Sequence, residues 1–375
     1  MRFTRGFALA VGAAALVGAG LTATTPALAS PHHHSTFLGK FHRTKLVAST
    51  VPRNGDINPY GVAVVRRSQG RLHKNSVLVS NFNNSKNFQG TGSTIVEISP
   101  SGRRIQFAHI IRRGLPGACP GGIGLTTALV IIRGWVFVGS TPSRNGQAAT
   151  SRPGCVLVLD STGRVRETIS GHGINGPWDA TAVSGGIHAS LFVTNVLNGT
   201  VSGKGKIVRR GTVLRIGLVF IPGHLPRVVS RTVVGSGFAQ RTDPAAFVVG
   251  PTGLGLGLRG RLFVADTAEN RITMITRAIT RRHSAGTGRV VTEGGLLKGP
   301  LGLAVVSNGN VLTVNAGNGR IVETNPRNGS QVASRFLDTS GSPPGNGALF
   351  GLGVAPNDSG VYYVDDAVNT LRLLF

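Results

Sequence analysis

The stretch LFVADTAENRI (residues 262–272) joins a run of apolar strand formers to an Ala-Asp pair. Two small residues and a polar triplet follow before Ile272 restarts the apolar pattern. It reads as a buried strand, a tight turn and a second strand. Gly250-Pro251-Thr252-Gly253 stands just upstream, and the combination recurs. GPLG (299–302) precedes VLTVNAGNGRI (311–321), and LFG (349–351) precedes VYYVDDAVNTL (361–371). The last glycines of the opening signals fall at 253, 302 and 351, a period of 49 residues repeated twice. Such a period marks an array of one structural unit. Three degenerate units lie upstream: NPYG (58–61) with VLVSNFNNS (77–85), GGIG (121–124) with WVFVGSTPS (135–143), and GPWD (176–179) with LFVTNVLNGTV (191–201).

Each unit keeps one internal order. A turn signal opens a short apolar strand, and a second strand ends in Asp or Asn. A third strand follows, as in CVLVLDSTG, and then a more polar fourth, as in RVVTEG. Four antiparallel strands per repeat is the pattern of a propeller blade. The sequence therefore predicts an all-β, six-bladed β-propeller with blades near 58–113, 120–170, 176–235, 250–293, 299–338 and 348–375. The sixth unit runs out after its third strand, whereas residues 44–50 form an orphan strand ahead of the first. Residues 44–50 are thus predicted to complete blade six as its outer strand and close the ring, which removes two exposed sheet edges.

GPTG followed by LFVADTAENRI resembles the NHL repeat of six-bladed propellers, and the units at 299 and 348 are similar to it. The resemblance covers the mature chain in period and is marked in blades four to six. It implies the fold and leaves activity open, because such propellers include receptors and scaffolds as well as enzymes resembling gluconolactonases, peptidyl-amide lyases and streptogramin lyases.

Outside the repeats, Arg2 and Arg5 precede a small-residue apolar stretch, and Ala27-Leu28-Ala29 supplies an A-x-A cleavage pattern. Residues 1–29 read as a signal peptide and 30–43 as a flexible segment. The mature chain is expected to be secreted, periplasmic or envelope-associated, with no membrane span and as a monomer. Its 40 Lys and Arg face 14 Asp and Glu. The excess attracts polyanions, but the cations are scattered and unaccompanied by aromatic clusters, so nucleic acid is not an expected partner. An anionic envelope polymer, a polysaccharide or a protein is. Cys119 and Cys155, an even pair in an exported chain, are expected to form a disulfide.

Among single residues, the Asp/Asn column (Asn81, Asn195, Asp266, Asn315, Asp365) recurs at one blade position. A structural role in the turn is expected for it, marked by Asp266, Asn315 and Asp365. Asp179 is singular: it stands where the other units carry Gly61, Gly124, Gly253, Gly302 and Gly351. With Trp178 it would form an aromatic platform and a carboxylate at the channel mouth, with His172 as a candidate acid/base partner. If Trp178 instead lies in the core, Asp179 is only a cap. His32-His33-His34 carries no mechanistic expectation. A calcium site would draw on Asp179, Asn195, Asn81 and Asp365. For the lactonase-like group, the resemblance implies an early glutamate, and Asp56-Ile57-Asn58-Pro59 matches it loosely. Long loops after the second strands of blades one to three carry Lys86, Arg144, Arg152, Lys204, Lys206, Arg209 and Arg210. A basic lip follows, with Lys204, Lys206, Arg209 and Arg210 as ligand contacts. The expected function is a binding or interaction module for an anionic or polyhydroxyl ligand, without an assured cofactor. The alternative is a calcium-assisted hydrolase or lyase with its site at the mouth.

Overall fold

The computed structural model describes residues 36–375. Residues 1–35, on which the expected signal peptide and the histidine triplet fall, lie outside the described residues. Six antiparallel sheets form the blades of a β-propeller. Blade 1 holds Ile57–Val64, Val77–Asn83, Thr94–Ile98 and Arg104–His109; blade 2 holds Leu125–Ile132, Trp135–Ser140, Cys155–Leu159 and Val165–Ser170. Blade 4 holds Pro251–Gly257, Arg261–Asp266, Arg271–Ile275 and Arg289–Glu293, and blade 5 holds Pro300–Val305, Val311–Asn315, Arg320–Thr324 and Gln331–Phe336. Blade 6 takes Leu349–Val354, Val361–Asp365 and Thr370–Leu374, and Thr44–Ser49 pairs antiparallel with its third strand to complete it. The N-terminal strand thus latches the ring, as the missing outer strand requires.

Blade 3 departs from the four-strand pattern. After Pro177–Gly185, His188–Asn195 and Val208–Val219, its outer strand runs from Arg227 to Asp243 and turns back into a fifth, Phe247–Val249. The Asp243 carboxylate closes that turn by accepting the Ala245 and Ala246 N–H groups at 2.9 Å.

The second and third strands are buried on both faces, which is why they read as unbroken Val, Leu and Ile runs. Their side chains build six apolar layers, one between each pair of neighbouring blades and the last between blades 6 and 1. The inner strands pack around the axis on one another. Glycine is demanded there: a Cβ on Gly253 would stand 2.1 Å from the Leu301 carbonyl oxygen, and one on Gly351 2.0 Å from that of Tyr60.

Strand alternation sorts the connections onto two faces. Loops after the second strands and links between blades gather on one, here the connector face. Turns between first and second and between third and fourth strands gather on the other, the hairpin face.

Two expectations need correction. Residues 36–43 are not a flexible segment: Phe37, Leu38 and Phe41 are buried against blades 5 and 6. The Phe37 and Leu38 N–H groups donate to the buried Glu323 carboxylate at 2.9 and 2.8 Å. In blade 2, Gly124 is not the axial glycine. Leu125 pairs with Ser140 as Pro251 pairs with Asp266, and one extra residue separates Leu125 from Leu129, so Thr127 reaches the axis instead.

Candidate functional site

The connector end of the channel is filled. Tyr60, Trp178 and Phe350 leave the starts of three inner strands and meet across the axis, joined by Phe82 and by Phe247 from the extra hairpin of blade 3. Tyr60 stacks on Phe350 with ring centres 4.3 Å apart and on Phe82 at 4.7 Å. Trp178 meets both Tyr60 and Phe82 edge-on, and Phe247 stacks over Trp178. The hairpin is held across the mouth by Gln89, whose Nε2 donates to the Ala245 carbonyl at 3.1 Å. Trp178 is 3% exposed. It is a plug residue and presents no platform to a ligand, which is the core placement left open by the sequence.

Asp179 occupies its predicted axial position beneath this plug. The register Pro177↔Asn195, Ala180↔Val193 matches Pro251↔Asp266, Leu254↔Val264, so Asp179 is the counterpart of Gly253. A Cβ on Gly253 would approach the Leu303 N–H group at 2.7 Å; the Asp179 carboxylate uses the equivalent direction and accepts the Leu254 N–H at 2.8 Å. Around it lie Val62, Leu129, Leu254, Leu303 and Leu352, with Thr127 the other polar side chain, about a space of about 50 Å³. Burial among these groups pushes the carboxyl up to about 7, against the Leu254 and Ala180 N–H groups, which pull it down. Along the inner strands exposure rises toward their ends, so the channel is open from the hairpin face and shut from the connector face.

The remaining candidates do not gather around Asp179. His172 is exposed on a turn with φ 45°, and no histidine lines the channel at Asp179. The Asn81 amide donates to the Thr50 carbonyl and the Thr94 hydroxyl; Asn195 accepts the Asn175 N–H at 3.0 Å; Asn315 donates to the Leu296 carbonyl at 2.8 Å. These three tie the end of a second strand to the segment entering the same blade. Asp266 does not cap its turn: its Oδ2 accepts Arg271 Nε at 2.8 Å from the adjacent strand. Asp365 is buried and faces Arg372 at 4.0 Å. Burial, then Asp338, pushes its carboxyl up to about 6 against Arg372. Asp56 is spent inside blade 1 on the Ser93 N–H and the Ser93 and Thr94 hydroxyls.

The calcium set of Asp179, Asn195, Asn81 and Asp365 is spread over blades 1, 3 and 6, and Asn81, Asn195 and Asp365 are each turned to partners of their own. Among the described residues no three His, Cys, Asp or Glu side chains converge as metal ligands.

The lip residues Lys204, Lys206, Arg209 and Arg210 are exposed on the connector face; Arg209 pairs with Glu269 at 2.9 Å. Cys119 and Cys155 are joined and buried, tying the link into blade 2 to its third strand.

Sequence reasoning missed the plug and Asp366. The signal for the plug was present, since Tyr60, Trp178 and Phe350 share one place in the opening tetrapeptide where blades 4 and 5 carry Thr252 and Leu301. Asp366 is pushed up to about 7 by burial and by Asp365, and its charge adds to burial in raising Tyr60.

No family model matches the sequence, and no curated protein matches it. Solved structures do resemble it in fold. A gluconolactonase from Xanthomonas campestris superposes with a TM-score of 0.54 at 11% identity, covering 88% of this chain and 88% of that one. A calcium-binding protein, regucalcin, from Agrobacterium tumefaciens gives 0.52 at 13%, covering 88% and 93%. A streptogramin B lyase gives 0.50 at 14%, covering 89% and 97%. The structural neighbours are thus six-bladed propellers of the gluconolactonase, regucalcin and streptogramin-lyase kind, and the likeness to NHL repeats rests on the sequence of blades four to six alone.

Proposed function

We propose that this chain is an exported propeller that binds an anionic or polyhydroxyl ligand through its connector-face lip. The observation that carries this is the closed mouth. Five aromatic rings fill the place where ligands enter such a channel, so recognition falls to the loops around them. Lys204, Lys206 and Arg210 form no ion pair among the described residues, which leaves their charge free for a partner. The buried disulfide agrees with a non-cytoplasmic location. Retention on an anionic glycan resin at low salt tests this. The double variant Lys206→Glu, Arg210→Glu should lower retention by about thirtyfold or more, since each charge near such a surface contributes roughly 1 kcal/mol. Unchanged retention contradicts it.

A second reading, a metal-assisted hydrolase or lyase, is favoured by the neighbours named above more than a binding module is, since they include a gluconolactonase and a lyase. Asp179 is the one axial carboxyl it would have. Calcium-dependent thermal stabilisation that Asp179→Ala abolishes would establish this reading over the first. A melting temperature indifferent to calcium and to chelator, together with charge-dependent glycan retention, would establish the binder.

A further inference from the structure

We propose that the hairpin face of blades 3 and 4 docks on a lipid bilayer carrying anionic headgroups. This concerns the face opposite the lip and stands whether or not the lip binds a ligand. Four turns build the surface: residues 185–188 and 219–227 on blade 3, and residues 257–261 and 276–289 on blade 4. Their tips are aliphatic and turned to solvent, with Leu258 83% exposed, Ile187 48%, Ile221 43% and Ile279 38%. Leu258 gains little from the fold at that exposure, and each of the three isoleucines keeps more than a third of its surface in water.

The tips are held in place. The Phe220 N–H donates to the Ile187 carbonyl at 2.8 Å, which joins the two turns of blade 3, and the Ala278 N–H donates to the Gly260 carbonyl at 2.8 Å, which joins those of blade 4. Arg215 crosses from blade 3 and donates to the Ala278 carbonyl at 2.8 Å. A prearranged apolar surface loses little conformational entropy when it is covered.

The charge around the tips names the partner. LRGR (258–261) and TRAITRRH (276–283) place arginines on both sides of Leu258 and Ile279, and the four turns contain no aspartate or glutamate. None of their arginines forms an ion pair among the described residues. A soluble polyanion would be met by the arginines alone and has no use for four exposed aliphatic tips. An anionic bilayer uses both: phosphate headgroups take the guanidinium groups while the aliphatic side chains enter the acyl boundary beneath. No described helix is long and apolar enough to cross a membrane, and a surface-bound propeller needs none.

Flotation of the full chain with phosphatidylcholine vesicles, with and without phosphatidylglycerol, tests the proposal. The chain should float with the mixed vesicles and not with pure phosphatidylcholine. Leu258→Ser with Ile279→Ser, which changes no charge, should weaken binding to mixed vesicles about tenfold, and Arg259→Glu with Arg277→Glu should weaken it by about thirtyfold or more. Retention on immobilised polyphosphate should fall in the arginine pair and stay unchanged in the serine pair. Failure to float with mixed vesicles, equal flotation with the neutral ones, or wild-type flotation of the serine pair would overturn the proposal. The last result would leave a soluble polyanion as the partner. All four sites are exposed, and unchanged melting curves would show the variants folded.

Discussion

Asp179 fills an axial position that four of the other blades give to glycine (Gly61, Gly253, Gly302 and Gly351) by necessity, and it does so by turning its carboxyl onto the Leu254 N–H. Burial lifts its folded-state value from 3.8 to about 7, so folding favours the protonated form. The stability this gives is present in full below pH 3.8 and is lost as pH rises through about 7. Asp179→Asn keeps an acceptor oxygen without the charge. It should raise the melting temperature by about 3 °C at pH 8 and leave it unchanged below pH ~4. Asp266, Asp365 and Asp366 are also raised and titrate in the same window, so the wild-type-minus-variant difference isolates Asp179. Asp266 makes a contrasting case, because its fully buried carboxylate leans on Arg271. Arg271→Ala strands it and should cost about 3 kcal/mol at pH 7 in urea unfolding.

At the scale of the element, the links between strands set what the channel can do. The disulfide closes a 36-residue span from the link before blade 2 to its third strand. Replacing both cysteines by serine should cost about 4 kcal/mol in denaturant unfolding. The blade 3 hairpin supplies Phe247 to the plug, and Phe247→Ala should cost about 3 kcal/mol by opening a cavity against Trp178 and Phe82. The blades were readable because a strand ending in Asp or Asn recurs, at a near-constant period in blades 4 to 6, and burial on both faces writes that strand as an unbroken apolar run. The hairpin was not readable, because RTDPAAFVVG has the composition of a link. The plug was readable only in part: Tyr60, Trp178 and Phe350 share one place in the repeat, but Phe82 and Phe247 join them only once the ring closes. The slip at Gly124 is one of register: Leu125 is the counterpart of Pro251, so Gly124 matches Gly250 and the axial place falls further along, at Thr127.

For the whole molecule, the repeated inner glycines and the latch at Thr44–Ser49 give a ring whose two faces differ in kind. One face carries the plug, the extra hairpin and the lysine-rich loop; the other carries the open end of the channel and the arginine-flanked aliphatic tips. Asp179 was legible as the place where the repeat breaks its rule, whereas its surroundings were not, since a period locates a residue and says nothing of what packs above it. The central claim is that the connector-side mouth is sealed. The chain has two tryptophans, so in a Trp135→Phe variant all indole fluorescence comes from Trp178. Acrylamide quenching of that variant should be weak, with blue-shifted emission that anionic oligosaccharides do not alter. Quenching as efficient as that of free tryptophan, or emission that moves with ligand, would show an open mouth and contradict the account.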